Sequence, residues 1–94
     1  MFELSNIDAL KRFLSLHHLS PKKSLGQNFL IDEKVFDSIL QSAELNPQDH
    51  VLEIGAGPGL LSQRLAPRVK NLVCLEIDER MSPAWRALMK PFSN

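Results

Sequence analysis

Apolar residues in the first half of the chain recur at the three- and four-residue spacing of amphipathic helices. The first such stretch covers residues 5 to about 16, and Ser5 followed by Asp8 predicts a capping box at its start. The second stretch follows Asp32, a residue suited to an N-cap, and ends before Asn46-Pro47. We expect this second helix to have one buried face, formed by Val35, Phe36, Ile39, Leu40 and Ala43.

The second half of the chain alternates short β-favouring runs with helical spacing. Residues 51–54 predict a strand that passes directly into the turn Gly55-Ala56-Gly57-Pro58-Gly59 and then into a helix closed by Pro67. Residues 71–75 are an apolar run typical of a parallel strand with both faces covered. A last helix is predicted through Trp85, with Ser82 as its cap. This order predicts an α/β fold built on a parallel strand-helix-strand unit.

The length of the chain limits what this unit can be. With 94 residues, of which 44% are hydrophobic, the chain is long enough for one small domain and too short for two. A sheet of two strands is marginal in water, and the second strand keeps an open edge unless a third strand follows. We therefore expect an incomplete domain.

Charge, hydropathy and cysteine content exclude several classes of protein. Eleven basic and eleven acidic residues give a net charge of +0, so any affinity for nucleic acid must come from a local patch. The chain shows neither an apolar stretch of spanning length nor a signal-peptide pattern, so we expect a cytoplasmic protein with no membrane partner. Cys74, the sole cysteine, is interpreted as a small buried hydrophobe, and no metal site is predicted.

The strongest candidate site is the glycine-rich turn after the first strand. Glycines allow a sharp turn and a close backbone approach to a ligand. Glu76 ends the second strand, and neighbouring parallel strands end at the same edge of a sheet, so its carboxylate can meet a ribose bound at the turn. The alternatives are a tight turn without a ligand and a solvated acid, with Asp78 as the cap of the next helix. The combination favours a nucleoside-type ligand.

The details of the turn favour a ligand without phosphate. A dinucleotide fingerprint requires Gly or Ala at its sixth place, where this chain has Leu60. Glu53, two residues before the first glycine, adds negative charge that suits an ammonium group and disfavours a phosphate. S-adenosylmethionine has an amino acid end and a ribose but no phosphate. A nicotinamide dinucleotide is the weaker alternative.

Three segments carry a resemblance to a known family. They are Lys23-Ser24-Leu25-Gly26-Gln27-Asn28-Phe29-Leu30, residues 51–60 around the glycine-rich turn, and Leu75-Glu76-Ile77-Asp78. Together they closely resemble the N-terminal part of the bacterial ribosomal RNA adenine N6,N6-dimethyltransferases, over residues 21–91. Erythromycin-resistance methylases and mitochondrial transcription factors of the same descent are close relatives of that family.

The resemblance implies a partial Rossmann-like class I methyltransferase domain over residues 1–94. Within it, residues 1–31 would form an N-terminal helix and a lid loop over the methyl donor, S-adenosylmethionine. The implied cofactor-binding residues are Asn28, Leu30, Gly55, Glu76, Gln27, Glu53 and Gly57. The implied reaction moves methyl groups to adenine N6 of small-subunit ribosomal RNA, which is the implied partner.

The sequence departs from the family in its catalytic part. Family members are longer and carry an Asn-x-Pro-aromatic segment that receives the target base, and these 94 residues contain none. Methyl transfer depends on in-line positioning of the target amine, so we expect negligible activity from these residues alone and assign no catalytic residue. A fragment that binds S-adenosylmethionine or RNA without turnover is the alternative function.

Overall fold

The computed structural model describes residues 7–17 and 33–94. The predicted caps Ser5 and Asp32 lie outside these residues. Two short 3-10 turns, at Ala66–Arg68 and Glu79–Met81, precede β2 and α4. The helices and strands are α1 (Ile7–Leu16), α2 (Glu33–Ala43), β1 (His50–Ile54), α3 (Ser62–Leu65), β2 (Asn71–Leu75) and α4 (Ser82–Met89).

The predicted strands form a parallel pair. β1 and β2 run in register from His50 opposite Asn71 to Ile54 opposite Leu75, and α3 lies between them in the chain. One face of the pair, with Glu53 and Cys74, packs towards the helices. The other face is exposed, which contradicts the expected cover on both faces of the second strand. Among the described residues, no element lies over that second face.

The core is formed by residues of α1, α2 and α4 and of the segments that lead into α3 and α4. Its buried members are Phe13, Leu14, Phe36, Leu60, Met81, Ala84 and Leu88. On α2 only Phe36 and Leu40 are buried, while Val35 and Ile39 are 40% and 36% exposed and Ala43 is also exposed, so the expected buried face was too wide. The core contacts α2 along a single i, i+4 stripe, because in the described part of the chain nothing packs on its other side.

Two predicted helix ends differ from the structure. Ser82 lies inside α4 and is not its cap, because the turn Glu79–Met81 leads directly into that helix. The cap belongs to this turn instead: Asp78 accepts a hydrogen bond from the Arg80 N–H at 3.0 Å. Pro67 lies in the 3-10 turn that shortens the preceding α-helix to four residues. In the described ranges, no helix combines the length and the apolar character that crossing a membrane requires.

Candidate functional site

Glu76 joins the end of β2 to the glycine-rich turn after β1. Its Oε1 accepts a hydrogen bond from the Gly57 N–H at 2.7 Å, and its Oε2 accepts one from the Asp78 N–H at 3.0 Å. The structure thus brings together the two features that the sequence places at one edge of the sheet. A carboxylate offers about four acceptor positions, so after these two bonds Glu76 can still accept from two hydroxyls.

The backbone N–H groups of the turn are all used within the protein. Pro58 has none, and the other four residues donate at 2.7 to 3.2 Å. Helix starts and glycine loops bind phosphate through unpaired N–H groups, and here these groups already have acceptors. The turn therefore does not form a phosphate cradle. The pairs are Gly55 and Ala56 to the Leu75 carbonyl, Gly57 to Glu76, and Gly59 to the Ala56 carbonyl.

Positive φ angles explain the glycines of this turn. Gly55, Gly57 and Gly59 have φ values of +76°, +59° and +101°. Residues that carry a Cβ rarely adopt such angles. A Cβ at Gly55 would meet no atom within 4 Å, whereas a Cβ at Gly59 would lie 3.2 Å from Trp85 Cδ1. Gly55 therefore faces open space, and Gly59 allows α4 to pack closely against the turn.

A cavity of about 500 Å³ lies beside the Gly57–Glu76 contact. This volume falls in the range of about 300 to 1,000 Å³ that is usual for small-molecule sites. The wall combines carboxylates at the strand end with apolar side chains from α4 and the turn before it. Lining residues include Gly57, Glu76, Asp78, Met81, Ser82 and Trp85.

A buried polar cluster lies under the turn, on the inner face of the sheet. The Ser62 hydroxyl donates to Glu53 Oε1 at 2.5 Å and accepts from Trp85 Nε1 at 3.2 Å. The Cys74 thiol lies 3.5 Å from both Glu53 Oε1 and Ser62 Oγ, and burial raises its pKa, so it stays protonated. Burial also raises the pKa of Glu53, while its hydrogen bond from Ser62 opposes the shift. Glu53 Oε2 accepts no hydrogen bond from the described residues.

The raised pKa of Glu53 predicts a pH-dependent stability. Because the folded pKa lies above the ordinary value of 4.5, the folded state favours the neutral carboxyl, and this contribution is lost as pH rises through the folded pKa. Glu53→Gln removes the buried charge and keeps an acceptor for Ser62. We expect urea unfolding to show that the variant gains stability relative to wild type between pH 4 and pH 8. Glu44→Gln, at an exposed position, is the control, and an unchanged difference across this range would contradict the prediction.

Arg64 fixes the helix after the turn to the start of α2. Its guanidinium carbon lies 4.1 Å from the centroid of the Phe36 ring, and its Nη2 and Nε bond the two carboxylate oxygens of Glu33 at 2.6 and 3.3 Å. A third bond, from Nη1, reaches the Leu60 carbonyl at 2.6 Å. Glu33 lies two residues after the predicted lid segment, which ends at residue 31. The element after that segment is therefore tied to the element after the glycine turn.

The remaining predicted site residues lie elsewhere or outside the structure. Gln27, Asn28 and Leu30 fall outside the described residues. Sequence reasoning did not assign Ser62 to the site, and it placed Trp85 only on the last predicted helix. A serine on a short helix and a tryptophan on a later one carry no signal of contact in the sequence. Their link to Glu53 depends on how α3 and α4 pack on the sheet.

Comparison with known proteins decides the family. The family model described as ribosomal RNA adenine dimethylase matches residues 18–94. This chain belongs to that family. A relative within it, the ribosomal RNA small subunit methyltransferase A of Ligilactobacillus salivarius (strain UCC118), is 38% identical over 92 residues, which are 98% of this chain and 31% of the relative. The chain thus spans about a third of that relative's length.

Solved structures of similar proteins share the fold of this chain. The crystal structure of a dimethyladenosine transferase from Plasmodium falciparum matches with a TM-score of 0.64 and 33% identity, over 71% of this chain and 26% of that one. The crystal structure of the 23S rRNA methyltransferase ErmE gives 0.63 and 40%, over 69% and 27%. The parallel pair and its helices are therefore part of a Rossmann-like methyltransferase fold. The name of the first protein gives no RNA and that of the second gives 23S rRNA, so the shared fold does not define the RNA.

Proposed function

We propose that residues 1–94 supply the S-adenosylmethionine-binding part of a methyltransferase that dimethylates adenine N6 in small-subunit ribosomal RNA. The observation that carries this proposal is the Glu76 carboxylate held 2.7 Å from the Gly57 N–H at the edge of the cavity. Membership of the ribosomal RNA adenine dimethylase family supports the reaction class. The same proposal assigns the protein to the cytoplasm.

The residues present fit this cofactor better than they fit a dinucleotide. S-adenosylmethionine brings a ribose and an ammonium group, and it carries no phosphate. Glu76 has free acceptor positions for ribose hydroxyls, and the N–H groups of the turn already have acceptors. A pyrophosphate would require those N–H groups. The acceptor positions left on Glu76 and the pairing of the N–H groups of the turn therefore favour S-adenosylmethionine over a nicotinamide dinucleotide.

Each candidate residue has a role that follows from its position. Gly55 leaves open space at the turn, so a ligand can approach its backbone closely. Gly57 orients the Glu76 carboxylate, which would hold the ribose. Glu53 would draw the ammonium group through its second oxygen, which has no partner among the described residues. When bound, the cofactor supplies an electrophilic methyl group on a sulfonium.

The lid and the RNA enter the proposal through the family resemblance. Gln27, Asn28 and Leu30 would close the methionine side of the site within residues 1–31. Ribosomal RNA is the partner, as the relatives' names suggest for those proteins. With a net charge of +0, this part of the enzyme would contribute little to RNA affinity by long-range attraction.

Calorimetric titration with S-adenosylmethionine tests the proposal. We expect binding by the wild-type chain and at least about tenfold weaker binding by Glu76→Gln, because one lost charge-assisted hydrogen bond is worth about 1.4 kcal/mol or more. The control is Glu44→Gln, which removes an exposed carboxylate outside the cavity and should bind like wild type.

Two results would overturn the proposal. One is equal affinity of Glu76→Gln and wild type, and the other is tighter binding of NAD than of S-adenosylmethionine. The second candidate function is a module that binds S-adenosylmethionine or RNA without turnover. Binding without methyl transfer to small-subunit RNA would favour that candidate.

A further inference from the structure

Two consecutive hydrogen bonds lead from the wall of the cavity to the buried carboxyl group of Glu53. Trp85 Nε1 donates to Ser62 Oγ at 3.2 Å, and Ser62 Oγ donates to Glu53 Oε1 at 2.5 Å. These three side chains, here called the relay, come from α4, α3 and β1, and Trp85 lines the cavity. The relay therefore joins three elements of the fold and reaches the candidate site through Trp85.

The chemistry of the indole fixes the direction of both hydrogen bonds. An indole N–H can only donate, so the Ser62 oxygen is its acceptor. The single hydroxyl proton of Ser62 is then directed away from Trp85, and a carboxyl oxygen of Glu53 lies within 2.5 Å to accept it. Ser62 is 0% exposed, so bulk water does not compete for this proton. Trp85 thus orients the hydroxyl group that Ser62 presents to Glu53.

Glu53 is a buried carboxyl group without a cationic partner. It is 9% exposed, and no lysine or arginine of the described residues forms an ion pair with it. Within the same ranges one titratable group contacts it, the Cys74 thiol of β2, which burial keeps neutral by raising its pKa. From α3 and α4 it faces Ser62 and, behind it, Trp85, which carry no charge. Burial raises the pKa of Glu53 and the Ser62 bond lowers it, so the relay favours the charged form.

A carboxylate in this position suits a positively charged ligand group. Cys74 and Trp85, which adjoin Glu53 and Ser62, both line the cavity, so the relay borders the space in which a ligand can lie. A ligand ammonium would supply the opposite charge that the described protein groups do not give to Glu53. A neutral carboxyl group would attract the ammonium less. The attraction therefore depends on the ionised fraction of Glu53, which the relay increases.

We propose that Ser62 and Trp85 are positioning residues that keep Glu53 negatively charged for the ammonium group of S-adenosylmethionine. The inference rests on the proposed function and adds two residues that act through Glu53. Without the Ser62 hydroxyl, Glu53 would stay neutral up to a higher pH, so cofactor affinity would depend more strongly on pH. Trp85→Phe should have the same effect to a smaller extent, because Ser62 can still donate after its orienting partner is lost.

A pH titration without cofactor tests the relay itself. Trp85 is the chain's one tryptophan, so a nitrogen–hydrogen correlation spectrum contains a single indole signal. We expect this signal to shift between pH 4 and pH 8, because ionisation of Glu53 polarises the Ser62 hydroxyl that accepts the indole proton. Glu53→Gln should abolish the shift. Glu76→Gln, which removes the carboxylate beside the cavity but leaves the relay intact, should retain it.

Calorimetric titration with S-adenosylmethionine at pH 5 and pH 8 tests the link to the ligand. We expect the ratio of the two affinities to be at least about threefold larger for Ser62→Ala than for wild type, because Glu53 is less ionised at the lower pH in this variant. Titration of the ligand itself is common to all variants and cancels in this comparison. The matched control is Ser42→Ala, at an exposed serine on α2, which should give the wild-type ratio.

Each contrary outcome has a defined meaning. An indole shift that survives Glu53→Gln, or an equal affinity ratio in Ser62→Ala and wild type, would overturn this inference alone. If Ser62→Ala lowers the urea midpoint so far that it is unfolded at either pH, Trp85→Phe replaces it, and an affinity ratio equal to that of wild type would again overturn the inference. No binding by wild type would overturn the proposed function as well.

Discussion

Phe36→Ala should lower the free energy of unfolding by about 3 to 5 kcal/mol, the usual cost of truncating a buried phenylalanine. Phe36 is 1% exposed and belongs to the core that joins α1, α2 and α4. The substitution also removes the ring under the Arg64 guanidinium, 4.1 Å from its centroid. Arg64 then keeps its bonds to Glu33 but loses the surface against which it packs.

Urea unfolding of Phe36→Ala and Ile39→Ala would check this prediction. Ile39 lies on the same helix and is 36% exposed, so its truncation tests the removal of an apolar side chain outside the core. We expect a loss of under about 1.5 kcal/mol for Ile39→Ala, because less area is buried there. Similar losses for the two variants would mean that α2 does not pack through the Phe36 stripe.

The glycine-rich turn and both strands could be predicted from sequence because their signals are local. The run of residues 51–54 and the turn after it differ sharply in composition, and parallel strands end at the same edge of the sheet, where Glu76 meets Gly57. Local sequence patterns and the geometry of parallel strands were therefore sufficient to predict that Glu76 and the glycine-rich turn lie together. The structure adds the pairing of the turn's N–H groups, which strengthens the case against a phosphate ligand.

The parts that sequence could not provide depend on packing between distant elements. Ser62 and Trp85 are 23 residues apart, and nothing in their neighbours indicates that Trp85 bonds Ser62 or that Ser62 bonds Glu53. Periodicity on α2 predicted a buried face wider than the observed stripe, because it cannot show where neighbouring elements stop. The same limit applies to β2, whose apolar composition predicts cover on both faces although one face is open.

Gly59→Ala should destabilise the fold by about 2 to 4 kcal/mol, since a φ of +101° strains alanine and the new Cβ would lie 3.2 Å from Trp85 Cδ1. Leu88 Cδ1 and the Trp85 Cα lie at 3.6 Å, an ordinary van der Waals distance, so the Trp85 ring is the part that would have to give way by a few tenths of an ångström. A shift of this ring would lengthen the Trp85–Ser62 bond and disturb the cluster around Glu53.

Gly55→Ala separates the cost of this strain from an effect on binding. Its φ of +76° also disfavours alanine, by about 1 to 2 kcal/mol, but the new Cβ meets nothing within 4 Å. Gly55→Ala should therefore unfold at higher urea than Gly59→Ala, and under the proposed function it should bind S-adenosylmethionine more weakly than wild type, because the new methyl group would occupy open space beside the turn where the cofactor is proposed to approach. If the two variants had equal midpoints, contact with α4 would not be the reason for Gly59. If Gly55→Ala kept wild-type affinity, the open space at the turn would not belong to the cofactor site.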